Sequence, residues 1–182
     1  MSSKLELKSS LAIARLHINK HKIGSIILNK AKKEKQIIYG SVATNIQLNP
    51  SLRRKAGDYD VYSNHPKKSA DQTQRQLDRV VGDGNDDFYY KEAVHKGTWK
   101  VMHEGKDGEP KTRDDIAIVD YSKPSKKIDT VTINDIRYEN INSILKRRRE
   151  ILADPKSKYR HAKDRLTKDI ILTSKKMRSD TI

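Results

Sequence analysis

Tyr39-Gly40-Ser41, Asp58-Tyr59-Asp60 and Ile116-Ala117-Ile118-Val119-Asp120 are the stretches on which the reading of this chain turns. The run Gln36-Ile37-Ile38-Tyr39 predicts a short core strand that leads into a Gly-Ser turn. Side chains alternate between the faces of a strand, so Asp58 and Asp60 share one face while Tyr59 and Val61 take the other. Two hard oxygen ligands then stand side by side, anchored by apolar neighbours. Asp120, closing a later apolar run, is the third acid able to converge on them. Asp114 and Asp115 stand at the entrance of that last strand, some 16 Å from Asp120 at the strand rise, and are expected to face solvent. Mg²⁺ (or Mn²⁺) prefers carboxylate, water and phosphate oxygens in octahedral geometry, which this acid set with a bound triphosphate would supply. Gly40 lets the backbone approach a phosphate closely, and Ser41 with the following amides can donate to it if a helix starts near Val42.

Outward from these stretches, Leu11 to Leu16 and Ile23 to Leu28 have helical apolar spacing, interrupted by a basic patch from His17 to Lys22. His17 and His21 are spaced i, i+4 with no third ligand, and are read as exposed helix residues rather than a metal pair. Ser63-Asn64-His65-Pro66 stops the acid strand and starts a helix with a buried stripe of Ala70, Thr73, Leu77, Val80 and Val81. Phe88 to Val94 and Thr98 to His103 predict a hairpin turning at His95-Lys96-Gly97. The last third reads as mostly helical and basic, with Ile141, Ile144, Leu145, Ile151 and Leu152 as one stripe. A second helix there starts near Tyr159, with Arg160 and Lys163 as i, i+3 neighbours. Among the aromatic residues, Tyr62 and Tyr121 lie next to the acid strands and are the candidates for a base platform; Trp99 is the only tryptophan.

The 182 residues fit one domain with terminal extensions, and 34% hydrophobic against 35% charged residues leaves a modest core. No apolar run is long enough for a spanning helix, and Met1 to Glu6 lack a signal peptide's hydrophobic block, so a soluble, cytoplasmic chain with no membrane partner is expected. With no cysteine there are no disulfides or thiolate metal sites. The net charge of +15 is unevenly spread: residues 1–57 carry +10, residues 58–120 carry −4 and residues 121–182 carry +9. An acidic centre between basic flanks suits a polyanionic substrate, with nucleic acid the expected partner.

In this order, Gly40-Ser41, Asp58-Tyr59-Asp60 and Asp120 resemble the signature of the nucleotidyltransferase superfamily, the fold of DNA polymerase beta, poly(A) polymerases and small antitoxin-type enzymes. Tyr39 to Asn45, Asp58 to Ser63 and Ala93 to Val101 are also similar in phrasing to the poly(A) polymerase catalytic subunits of large DNA viruses, which would put the protein in a host cytoplasm or a virion. The likeness covers roughly residues 35–125. Asn49 to Gly57 lengthen the connection between the Gly-Ser turn and the first acid beyond that of many superfamily members. The resemblance implies an α+β fold: a palm of mixed sheet and helices over residues 37–125, flanked by basic helical segments at 1–36 and 126–176, with a tail at 177–182. It further implies an NTP substrate and transfer of a nucleoside monophosphate to an acceptor hydroxyl, most simply a nucleic-acid 3′ end. Asp58, Asp60 and Asp120 would be catalytic and metal-binding, and Gly40, Ser41, Arg160 and Lys163 would hold the nucleotide. Two alternatives stand beside it: a non-catalytic nucleic-acid-binding or virion protein on the same scaffold, and a small enzyme that modifies a protein or tRNA.

Overall fold

Alternation along the strands divides one sheet into an apolar face and a charged face, and this division sets the architecture. The computed structural model describes residues 2–156 and 161–179. Helices α1 (Ser2–Ile18) and α2 (Lys20–Lys33) lead into β1 (Ile37–Tyr39) and α3 (Gly40–Gln47). A short 3₁₀ turn at Pro50–Leu52 precedes β2 (Tyr59–Tyr62), α4 (Pro66–Val80), β3 (Phe88–Glu92), β4 (Trp99–His103) and β5 (Ile116–Ser122). The chain continues through β6 (Thr130–Ile133), β7 (Ile136–Glu139), α5 (Ile141–Ala153) and α6 (His161–Ser179). The seven strands form one mixed sheet in the order β3-β4-β5-β2-β1-β7-β6. The pairs β2/β5 and β1/β7 are parallel and the others antiparallel.

On the apolar face Ile38, Val61, Val101, Val119 and Tyr121 are fully buried. They pair across the sheet as Ile38 with Val61, Val61 with Tyr121, and Val101 with Val119. The Tyr121 hydroxyl and Thr73 Oγ1 of α4 are 2.8 Å apart, which fixes α4 against this face. Pro66 opens α4 at its first turn, where its missing N–H costs nothing, and Ala70, Thr73 and Leu77 are wholly buried. Val80, expected in that stripe, is 40% exposed, and Val81 takes the inward place as the helix ends. Helix α2 lies on the same face through Ile23, Ile26, Ile27 and Ala31. Gly24 lets α2 approach Tyr59 closely, since a Cβ would stand 2.6 Å from the Tyr59 hydroxyl.

The hairpin read at 88–103 is present as β3 and β4, with Gly97 at φ +82° in its turn. The sheet extends beyond residue 125, where the sequence reading ended it. Strands β6 and β7 turn at Asn134 and Asp135, both with positive φ, and β7 adds to β1. Two adjacent left-handed residues are what a tight hairpin needs, and Asn and Asp tolerate that conformation better than most residues. Helix α6 likewise continues to Ser179, past the residue 176 assigned to the basic segment.

The charged face is covered by α5 and α6. Gln47, at the end of α3, donates to Glu139 O at 2.8 Å and accepts from Ile141 N at 2.9 Å, pinning the corner between β7 and α5. Arg148 of α5 meets Asp164 of α6 at 2.5 Å, with the Asp164 side chain wholly inaccessible. A buried ion pair is weak evidence of net stability, but the loss of one partner strands a charge. Asp164→Ala is therefore expected to destabilise the protein by about 3–5 kcal/mol, and Arg148→Met/Asp164→Leu together to recover most of that. Urea melts of the three proteins check this; an Asp164→Ala midpoint equal to the parent's would show that the pair carries no such load.

Candidate active site

The site grows from one row of side chains across four strands. Antiparallel pairing sets Tyr39 of β1 opposite Asp60 of β2, parallel pairing sets Asp60 beside Asp120 of β5, and antiparallel pairing sets Asp120 opposite Lys100 of β4. Directly paired residues point to the same face, so these four side chains share the face away from Val61 and Val119. Asp58 stands at the mouth of β2, two residues before Asp60. The structure thus brings Asp60 and Asp120 side by side through the parallel pairing of their strands. Asp120 lies two residues inside β5 rather than at its end.

Gly40 starts α3 with φ +69°, and its missing side chain leaves the space that the Asp60 carboxylate fills. A Cβ there would sit 1.9 Å from Asp60 Oδ2. The glycine read as a phosphate turn is therefore also the seat of the central acid. Ser41 and Thr44 follow on the first turns of α3, with Thr44 Oγ1 donating to Gly40 O at 2.8 Å.

Tyr39, Gly40, Ser41, Asp58, Asp60, Arg54, Lys55, Arg147, Arg148 and Lys163 line one cleft of about 550 Å³ between the sheet and α5/α6. Lys163 of α6 lines this cleft. Arg160 lies outside the described residues. Arg54, Lys55, Arg147 and Arg148 were not singled out. The lengthened connection after α3 brings Arg54 and Lys55 to the cleft and is held by Asn45, which donates to Arg54 O at 2.5 Å and accepts from Arg54 N at 3.2 Å. Arg54 in turn donates to Thr167 Oγ1 of α6 at 3.2 Å. Arg147 donates to Glu139 Oε2 at 2.7 Å and to the Tyr62 hydroxyl at 3.2 Å.

The candidate base platforms fare differently. Tyr121 is fully buried on the other face and spends its hydroxyl on Thr73, so it cannot stack on a ligand. Tyr62 is half-buried and stacked on Tyr39, with centroids 3.9 Å apart at 15°. The Tyr39 hydroxyl and Ser122 Oγ are 3.0 Å apart, closing that side of the site. Asp114 stays at the surface, accepting from Lys106 N, Asp107 N and Thr112 Oγ1, and Asp115 accepts from the Tyr89 hydroxyl, so neither competes for the acid role. His17 and His21 are exposed.

Electrostatics mark the row as a place of unspent negative charge. Burial, then the Asp58 and Asp120 carboxylates, push Asp60 up to about 7, against a smaller opposing pull from Lys163 and Lys100. Burial also raises Asp120, with Lys100 opposing it. Lys100 Nζ lies 2.7 Å from Asp120 Oδ2, while Asp120 Oδ1 is buried with no hydrogen-bond partner among the described residues. A partnerless carboxylate oxygen beside a crowded carboxyl fits a hard divalent cation, and all the acid donors are oxygen. Among the described residues no three His, Asp or Glu side chains already form an ion-binding group.

The solved structure of the Megavirus polyadenylate synthase is similar to this chain, with a TM-score of 0.63 at 20% identity over 86% of this chain. The chain spans 32% of that enzyme's length. JHP933 from Helicobacter pylori aligns at 14% identity over 77% of this chain and 58% of its own, with a TM-score of 0.46. No protein-family model and no curated protein matches the chain. The fold is accordingly the nucleotidyltransferase fold, a mixed sheet with helices, as the resemblance implies.

A carboxyl raised from 3.8 to about 7 by folding takes up a proton between those values. Its contribution to stability is complete below the unfolded value and lost as pH rises through about 7. Asp60→Asn, which stays neutral, is expected to melt above the parent at about pH 8 in EDTA, with the gap closing toward about pH 5. Thermal scans at the two pH values check this, and a gap that does not depend on pH would remove the crowding of Asp60.

Proposed function

We propose that the protein is a metal-dependent nucleotidyltransferase that moves a nucleoside monophosphate from an NTP to an acceptor hydroxyl, most simply the 3′ end of a nucleic acid. The observation that carries this reading is the Asp60–Asp120 pair set in parallel strands, with Asp60 seated on the glycine that begins α3.

Each residue has a task in that reaction. Ser41 and the first amides of α3 accept the triphosphate at the positive end of the helix dipole. Lys163, Arg54 and Lys55, which line the same cleft, neutralise it and orient the leaving pyrophosphate. Asp58, Asp60 and Asp120 would hold Mg²⁺ (or Mn²⁺), which when bound supplies charge stabilisation for the attacking and leaving oxygens. Asp120 Oδ1, which has no hydrogen-bond partner among the described residues, takes the proton from the acceptor hydroxyl as that hydroxyl's oxygen forms the new bond to the α-phosphorus and the bond to pyrophosphate breaks. Burial suits Asp120 to this step because it raises basicity. The basic flanks of the sequence supply the steering that a polyanionic acceptor needs. A polyadenylate synthase with the same fold makes ATP and an RNA end the first pair to try.

Incubation of the pure chain with each labelled NTP, a divalent ion and short RNA or DNA primers tests this directly. Transfer of label is expected from one NTP, with a loss on the order of a hundredfold or more in Asp58→Ala/Asp60→Ala. Tight, salt-sensitive nucleic-acid binding that is unchanged in that variant, with no transfer to primers, tRNA or protein, would instead mark a scaffold protein.

A further inference from the structure

The face of the sheet opposite the acids carries a groove that the proposed reaction does not use. Strand β4 sends Lys100 to Asp120, so its neighbour Trp99 points to the other side. There Trp99 meets Tyr90 of β3, with ring centroids 5.7 Å apart and 51° between the planes. The groove, of about 750 Å³, lies between this pair and the first turn of α4. Lys67 Nζ stands 5.0 Å from the centre of the Trp99 ring, and Lys67 is itself exposed, so the indole face under it looks into the groove. Exposed Lys68 and Lys123 also line the groove. The single acid lining it, Asp71, is engaged by Arg75 at 3.0 Å.

An accessible indole among lysines is complementary to an unpaired base among phosphates. Bases stack on aromatic faces whatever their identity, while the phosphates on either side take the ammonium groups. A duplex keeps its base faces internal and cannot use such a ring. The groove also continues beyond one nucleotide: Asn64, His65 and Lys68 line both it and a neighbouring hollow of about 500 Å³ that reaches Tyr62 and Arg137. Tyr62 in turn stacks on Tyr39 of the acid cleft. A strand lying over the end of β2 therefore finds basic side chains along its path.

We propose that Trp99, with Tyr90, Lys67, Lys68 and Lys123, forms a base-stacking site for single-stranded nucleic acid, separate from the acid cleft. On binding, a base takes the place of Lys67 over the indole, and the displaced ammonium pairs with a phosphate. The site does not depend on the transfer reaction, and its test is independent of activity.

Trp99 is the only tryptophan, so its emission reports on this groove alone. The full chain is titrated at low salt with a short oligoadenylate, with an abasic strand of equal length and with a duplex. Anisotropy of a labelled oligoadenylate then compares the parent with Trp99→Leu, Lys67→Glu and Asp58→Ala/Asp60→Ala, each checked for fold by circular dichroism. Quenching by the oligoadenylate, much less by the abasic strand and the duplex, is expected. Trp99→Leu should weaken binding roughly 5- to 150-fold, as loss of one stacked base implies. Lys67→Glu, which leaves the core untouched, should weaken it and flatten its salt dependence, while the acid-site variant should quench like the parent. An equal response to the abasic strand, no response to the oligoadenylate, or parental affinity in both Trp99→Leu and Lys67→Glu would overturn the proposal.

Discussion

The parallel pairing of β2 with β5 is the constraint from which the rest of the molecule follows. Neighbouring strands lie about 4.8 Å apart, so pairing Asp60 with Asp120 forces two carboxylates into contact range on a partly buried surface. Both desolvation and like charge oppose their ionisation. The pair persists because the register cannot slip. One residue either side of Asp60, Tyr59 and Val61 belong to the apolar face, and a shift by one would send the acids into the core and the valine into the cleft. The Tyr121 hydroxyl bound to Thr73 locks β5 against α4 on that hidden face, so the core holds the acids in place without touching them.

Compensation for that charge comes from elements distant in sequence. Lys100 reaches Asp120 from the hairpin, Lys163 acts on Asp60 from α6, and Arg54 and Lys55 approach along the extended connection. The basic flanks and the acidic centre of the sequence thus meet at one cleft. Proximity rather than net charge determines the outcome, because attraction between charges in a partly dry cleft is several times that in bulk water. Many of the remaining lysines stay at the surface, where salt screens them and where they act on an approaching polyanion instead.

Much of this was legible in the sequence, for a physical reason: strand alternation is local. Asp58, Asp60, Asp120 and the Gly40 turn each follow from a short window, and so does the α4 stripe from Ala70 to Leu77. What escaped depends on pairing between distant strands. Lys100 gave no local sign of facing Asp120, since the register of β4 on β5 shifts between Val101 and Met102. Tyr121 could not be told from Tyr62 as a ligand platform until the sheet showed which face each occupies. The β6–β7 hairpin does carry a signal, Asn134-Asp135 between alternating Thr130 to Ile133 and Ile136 to Glu139, but the reading of the basic third as mostly helical hides it. Arg147 and Arg148 carry no local sign of their partners either, since one anchors Glu139 and the other Asp164.

One arginine of that pair ties the helical cover to the acid strands, and the other joins its two helices. Arg147 joins α5 to β7 through Glu139 and to β2 through the Tyr62 hydroxyl. Tyr62 stacks on Tyr39, and Tyr39 immediately precedes the glycine on which Asp60 rests. The contacts from Arg147 through Tyr62 and Tyr39 therefore run unbroken from α5 to the start of α3, where the backbone leaves the room that the Asp60 carboxylate fills. Gly40 has no side chain to crowd that carboxylate, and its left-handed conformation leaves few substitutes. Protein interiors are closely packed, so α5, the two stacked rings and the seat of the central acid are held by one continuous set of contacts.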